Sequence, residues 1–251
     1  MLDLPRAVAH VWLLSLPEPT PENAPWHRYE LLDELEQQRA ARIVHAATRE
    51  QYVAAHVLLR LCLSRYAPLA PAAWRFVCNA YGRPRLDPAL GVDLEFNLSH
   101  THGLVACVVA RALEVGVDVE SLVRRHPGLR LATRFFAPQE VAALRATRGA
   151  LQDERFLELW TLKEAYIKAR GLGLALPLRD FAFLGTAAPI QIAMQPTLDD
   201  VPAGWNFTLA HLASGHVLAT ALRAVDAESW RVVCKAPADS LALLSRSGPG
   251  S

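Results

Sequence analysis

Hydrophobic and polar positions alternate in blocks that predict mixed secondary structure. Residues 8–14 form an apolar run and predict a first strand. The prolines between Pro17 and Pro25 predict a loop. Residues 28–45 have helical character and many charges. A stronger helix is predicted over 49–66, where Tyr52, Val53, His56, Leu59, Leu63 and Tyr66 recur at helical spacing. Pro68 and Pro71 end it. A short strand is expected over 74–78 and a turn at Tyr81-Gly82-Arg83-Pro84. Strands rich in Val, Leu and Phe follow near 94–99, 104–110 and 115–120. The pattern then turns helical over 131–136, 138–146 and 153–170, with Gly171 and Gly173 as the stop. Strands return near 181–184, 191–194, 207–211, 217–223 and 230–234. From Ala236 the chain is Ser/Gly/Pro-rich and reads as a frayed tail.

One pattern occurs twice. Asn97-Leu98-Ser99-His100 precedes Gly103 and an apolar run; Thr208-Leu209-Ala210-His211 precedes Gly215 and a similar run. Both read as strand, tight turn, strand. Either the chain holds two related halves of about 110 residues, or two hairpins of a common type look alike.

Composition narrows the classes. Of 251 residues, 52% are hydrophobic, which is enough for a sizeable core and argues against a disordered chain. The 26 Lys+Arg nearly balance 25 Asp+Glu, giving a net charge of +1 and no global reason to bind nucleic acid. No apolar run approaches the roughly 20 residues of a membrane span, and no secretory leader pattern opens the chain. Cys62, Cys78, Cys107 and Cys234 are scattered among apolar neighbours without metal or redox spacing. They are expected to be buried thiols of a cytoplasmic protein.

Three segments could carry chemistry. In Gly116-Val117-Asp118-Val119-Glu120, a strand projects Asp118 and Glu120 to one face and the valines to the other. The pair is either a solvated face or an oxygen-only site for Mg²⁺ or Mn²⁺. In the helix around residues 156–170, Lys163, Glu164 and Lys168 share an arc of about 140°. They are either an ordinary helix-surface pair or a carboxylate and two lysines suited to a metal-bound polyphosphate. In Phe96-Asn97-Leu98-Ser99-His100-Thr101, His100 could donate to a phosphate and Ser99 could bond a base or ribose. Arg49 and Arg83 are further cationic candidates.

Taken in order, these motifs resemble the Sfp-type 4′-phosphopantetheinyl transferases. The matching pieces are Tyr81-Gly82-Arg83-Pro84, Phe96-Asn97-Leu98-Ser99-His100, Gly116-Val117-Asp118-Val119-Glu120 and Arg134-Phe135-Phe136-Ala137-Pro138-Gln139-Glu140. The last is Trp160-Thr161-Leu162-Lys163-Glu164-Ala165-Tyr166-Ile167-Lys168, continuing to Pro177-Leu178. The resemblance covers roughly residues 30–185.

It implies an α+β fold of two pseudo-twofold related half-domains in one chain, with coenzyme A in the cleft between them. The expected halves are 1–112 and 113–235, the second carrying the metal site, followed by a flexible tail over 236–251. The implied reaction moves the 4′-phosphopantetheine arm of coenzyme A to a serine hydroxyl of an apo acyl or peptidyl carrier protein and releases adenosine 3′,5′-bisphosphate. Asp118, Glu120 and Glu164 would hold Mg²⁺. Glu164, or a water it orients, would take the serine proton. Lys163 and Lys168 would stabilise the phosphates, and His100 would contact one at the nucleotide end. Arg83, Pro84 and Ser99 would line the adenine pocket, and Glu140 would support metal binding or catalysis.

The N-terminal 3′-phosphate candidates are Arg39 and Arg49, with Glu36 at a position that is often basic in such enzymes. Arg124, Arg125, Arg130 and Arg134, with Leu129, Leu131, Phe135 and Phe136, are candidates for carrier docking. The expected enzyme is a cytoplasmic monomer, with no nucleic-acid or membrane partner, serving polyketide or nonribosomal peptide synthesis. The competing reading is a metal-dependent phosphohydrolase of coenzyme A or a nucleotide.

Overall fold

The computed structural model describes residues 1–246 except 19, 22, 113, 124–127 and 225–229. The elements, in chain order, are β1 (Val8–Ser15), α1 (Glu34–Arg42), α2 (Ala46–Leu63), β2 (Phe76–Cys78), β3 (Pro84–Leu86), β4 (Glu95–Thr101) and β5 (Leu104–Ala110). There follow β6 (Glu114–Ser121), α3 (Gly128–Phe135), α4 (Pro138–Ala146), α5 (Ala150–Arg170), β7 (Phe181–Phe183), β8 (Ile192–Met194), β9 (Trp205–Leu212), β10 (His216–Arg223), β11 (Arg231–Lys235) and α6 (Pro237–Arg246). The fold class is α+β, as the sequence implies.

The chain divides into two compact units. Unit 1 comprises residues 1–78, 84–111 and the chain from Arg231 on; unit 2 comprises 79–83 and 112–230. In unit 1 the sheet order is β11-β1-β5-β4. Every residue of β5 is buried, because strands flank it on both sides and α2 packs on one face. Val105, Cys107 and Val109 meet Val53, Leu58 and Cys62 there. In unit 2 the sheet order is β6-β10-β9, and α5 lies along it.

The two units repeat one order of elements. Each opens on a strand, passes through a short and then a long helix, makes a two-stranded ribbon, and closes with a hairpin whose second strand pairs antiparallel with the opening strand. Unit 1 adds β11, parallel to β1, and α6. Unit 2 adds α3 before its short helix.

Three details differ from the sequence reading. Residues 231–246 belong to unit 1, and the turn 79–83 belongs to unit 2, so neither unit is one continuous stretch. The segment read as a frayed tail forms α6 as far as Arg246, anchored by Leu244, which is 3% exposed in the unit 1 core. Cys62 and Cys107 are buried, but Cys78 and Cys234 are exposed, because each lies on a strand at the edge of its sheet.

Candidate functional site

The site in unit 2 is made by β6 and α5. Gly116 lets them meet: a Cβ there would fall 2.0 Å from the Ala165 carbonyl oxygen and 2.6 Å from the Ala169 nitrogen. No side chain fits such a contact with backbone, so glycine sets the spacing between strand and helix. Two and four residues further on, Asp118 and Glu120 point to a common face. Asp118 is 4% exposed and Glu120 is half-buried.

Trp160, Glu164 and Lys168 follow one another at four-residue steps along α5 and so form one stripe. Lys168 Nζ donates to Asp118 Oδ1 at 2.7 Å. The Trp160 indole N–H donates to Glu120 Oε1 at 3.2 Å. Glu164 lies between them in sequence and faces both acids electrostatically. Burial pushes its carboxyl up to about 7; Asp118 and Glu120 add to the rise, while Lys168 opposes it.

Asp118 and Glu120 disfavour the charge of Glu164, and the Lys168 ammonium paired with Asp118 favours it. The donors are all oxygen. That set fits Mg²⁺ or Mn²⁺ and does not fit a thiophilic metal.

Lys163 and Glu140 do not join this site. Lys163 is 0% and Glu140 2% exposed. Lys163 Nζ lies 2.8 Å from Glu140 Oε2 and donates to the Leu178 and Phe181 carbonyls at 2.8 and 2.7 Å. It also sits over the Phe181 and Phe136 rings. Glu140 accepts from the backbone N–H groups of Ala137 and Phe183. Burial lowers the Lys163 ammonium to about 8 and raises the Glu140 carboxyl, and the pairing opposes both shifts. Every position around Lys163 Nζ is filled from within the core, so the expectation that it binds phosphate is corrected. Glu140 fastens the start of α4 to β7 and α5 and is corrected from catalyst to brace.

Arg83 is likewise engaged with its own unit. Its guanidinium donates to the Ala169 carbonyl at 2.6 Å and the Val115 carbonyl at 3.1 Å. Asn79 Nδ2 donates to the Gly171 carbonyl at 2.7 Å. Together they satisfy carbonyls at the C-terminus of α5, where a cation is also favoured by the helix dipole. Pro84 is exposed at the start of β3.

The candidates on β4, α1 and α2 lie in unit 1. On β4, Ser99 is 4% exposed and His100 is exposed. Arg39 is exposed on α1, and Arg49 on α2 donates to the Ile43 carbonyl at 3.2 Å. Glu36 is 7% exposed and bonds Arg60, which explains an acid at that position. Arg124 and Arg125 lie outside the described residues. Arg130, Leu131, Arg134 and Phe135 line a recess of about 440 Å³ on α3, whereas Phe136 is core.

Sequence reasoning missed Trp160, whose indole reads as a core ring until Glu120 is placed opposite it. It also missed Glu154, Glu158 and His211, whose ligand atoms lie within 4.8 Å of one another. They are an ion-pair cluster: Glu158 is also bonded by Arg155 and Thr186. Only the packing of β9 beside α5 brings His211 there.

This geometry sets an acidic strand against a helix carrying Glu164 and Lys168. A family model described as the 4′-phosphopantetheinyl transferase superfamily matches residues 114–221, from β6 into β10. The chain is 32% identical over 189 residues to the 4′-phosphopantetheinyl transferase HetI of a Nostoc species, covering 75% of each chain. It is 30% identical to a putative 4′-phosphopantetheinyl transferase of a Synechocystis species, over 72% of this chain and 78% of that one. It is 33% identical to the 4′-phosphopantetheinyl transferase Sfp of Bacillus subtilis, over 58% of this chain and 62% of the relative. The chain belongs to the 4′-phosphopantetheinyl transferase superfamily, whose members are transferases that use coenzyme A as substrate and act on carrier proteins.

Proposed function

We propose that this enzyme transfers 4′-phosphopantetheine from coenzyme A to a carrier serine with Mg²⁺ held by Asp118, Glu120 and Glu164, and that it releases adenosine 3′,5′-bisphosphate. The observation that supports this reading is the placement of Asp118 and Glu120 on one face of β6, bonded by Lys168 and Trp160 of the same α5 stripe that carries Glu164. When bound, the cation would polarise the attacked phosphorus centre and offset charge on the leaving phosphate.

The chain's own residues do the rest. Glu164, or a water it orients, is the group we assign to accept the serine proton. Lys168 keeps Asp118 oriented and carries an ammonium beside the cluster, where phosphate charge would gather. His100, Ser99, Pro84, Arg39 and Arg49 remain the residues we assign to the nucleotide end. Most of the rate enhancement comes from positioning and charge neutralisation, as in phosphoryl transfer generally.

The α3 recess suits an acidic carrier: it pairs two arginines with Leu131 and the partly exposed Phe135. The repeat of one element order within a single chain supports a monomer. Polyketide or nonribosomal peptide carriers are the class we assign, by likeness to the family.

The test is incubation with coenzyme A and Mg²⁺, with and without an apo-carrier. Release of adenosine 3′,5′-bisphosphate only with the carrier is expected. Carrier-independent release would instead establish a phosphohydrolase, and no effect of chelation would remove the metal.

A further inference from the structure

We propose that Trp160 is a positioning residue for Glu120: its indole N–H holds the Oε1 carboxylate oxygen and so sets the orientation of the carboxylate. The inference rests on the metal reading above.

A carboxylate on a strand can rotate about its side-chain torsions, so a useful ligand needs a partner that holds it. Asp118 has one in Lys168, at 2.7 Å. Glu120 has one in Trp160, at 3.2 Å. Both partners come from α5, eight residues apart, with Glu164 midway between them in sequence.

The indole is itself held. It stacks on Phe136 with centroids 6.3 Å apart and planes 16° apart, and on Phe156 at 6.1 Å and 27°. Phe136 and Phe156 stack on each other at 5.6 Å and 13°. Both phenylalanines are buried, 4% and 1% exposed. The aromatic ladder therefore anchors the ring plane in the core and directs its single donor at Glu120. Trp160 is only half-buried, so its ring joins the core to the edge of the acidic cluster. An indole is neutral and donates without accepting. It can orient the acid without competing for the cation or adding charge to the site, which a lysine there would do.

The full-length chain is titrated with Mg²⁺ in the presence of coenzyme A, by calorimetry and by tryptophan emission. Wild type is compared with Trp160→Phe, which keeps the stack and removes the N–H. Trp160→Tyr serves as a second variant, and thermal midpoints check folding. The expected result is a weakening of Mg²⁺ affinity by about 10-fold or more. Transfer should recover at saturating Mg²⁺, and the Mg²⁺-dependent change in emission should be largely lost. Added to Glu120→Gln, Trp160→Phe should weaken Mg²⁺ no further, because it acts through that carboxylate. Wild-type Mg²⁺ affinity in both Trp160 variants, with Glu120→Gln impaired, would overturn the positioning role alone. Unchanged affinity in Glu120→Gln as well would overturn the metal reading and this inference together.

Discussion

The two units hold their long helices by the same device. In unit 1, Arg60 of α2 is fully buried and reaches back to Glu36 and Asp33 at the N-terminus of α1, 2.7 and 2.9 Å away. In unit 2, Lys163 of α5 reaches back to Glu140 at the N-terminus of α4, 2.8 Å away. Both acids, Glu36 and Glu140, also accept a backbone N–H at the start of their own helix. Both cations also donate to two carbonyls beyond the C-terminus of their own helix: Pro71 and Trp74 in one unit, Leu178 and Phe181 in the other. Each cation also lies over a phenylalanine ring, Phe76 or Phe181.

The units diverge at the very next position. The residue after Arg60 is Leu61, which is buried core; the residue after Lys163 is Glu164, the proposed base. The brace is common to both units, and the proposed base stands beside it in unit 2.

The largest effect is expected at the point where the units differ. Glu164→Gln should lower transfer by at least about 100-fold, the smaller end of a general base's contribution. Its thermal midpoint should hold or rise, because a half-buried carboxylate and its repulsion with Asp118 are gone.

The braces come next, and here the units should behave alike. Arg60→Met and Lys163→Met each leave a buried acid unpaired and should each cost about 3–5 kcal/mol in denaturant unfolding. Adding Glu140→Gln to Lys163→Met should recover much of the loss and leave the KM for coenzyme A near wild type. A double variant that folds but binds coenzyme A poorly would return Lys163 to the phosphates.

Gly116→Ala should destabilise unit 2 by about 1–3 kcal/mol and reduce transfer with it, since the added methyl meets backbone of α5. Circular dichroism melts and activity should fall together.

The smallest effect distinguishes unit 1. Burial lowers the His56 and His10 imidazoles below their ordinary value of 6.5. The Tyr66 hydroxyl accepts from Trp12 and also bonds His10 Nδ1. Unfolded histidines take up protons that the folded ones resist. The stability they hold is complete above pH 6.5 and falls as pH drops through it. Glu164, whose raised carboxyl gains stability as pH falls, contributes equally to wild type and His56→Gln, so between pH 8 and pH 5 the urea midpoint of wild type should fall relative to that of the variant.

Much of this scaffold is legible in the sequence, because period and punctuation agree. The expected strand 104–110 and helix 138–146 match β5 and α4 end to end. The alternation around Gly116 places Asp118 and Glu120 on one face, and helical spacing places Glu164 and Lys168 one turn apart. Periodicity gives the direction in which a side chain leaves its element; it does not say what arrives opposite. Lys163 shares an arc with Glu164, yet α4 and the chain after α5 close over it. Arg83 reads as a free cation in a turn until the C-terminus of α5 comes within reach. The tail composition conceals α6, whose order depends on Leu244 packing into the unit 1 core.

The division between brace and chemistry is tested most directly by the mass of an apo-carrier after incubation with coenzyme A and Mg²⁺. Wild type and the Glu140→Gln/Lys163→Met double variant should both add one phosphopantetheine to the carrier, while Glu164→Gln should leave it apo. A carrier modified by Glu164→Gln at the wild-type rate, or left apo by a folded double variant, would contradict this account.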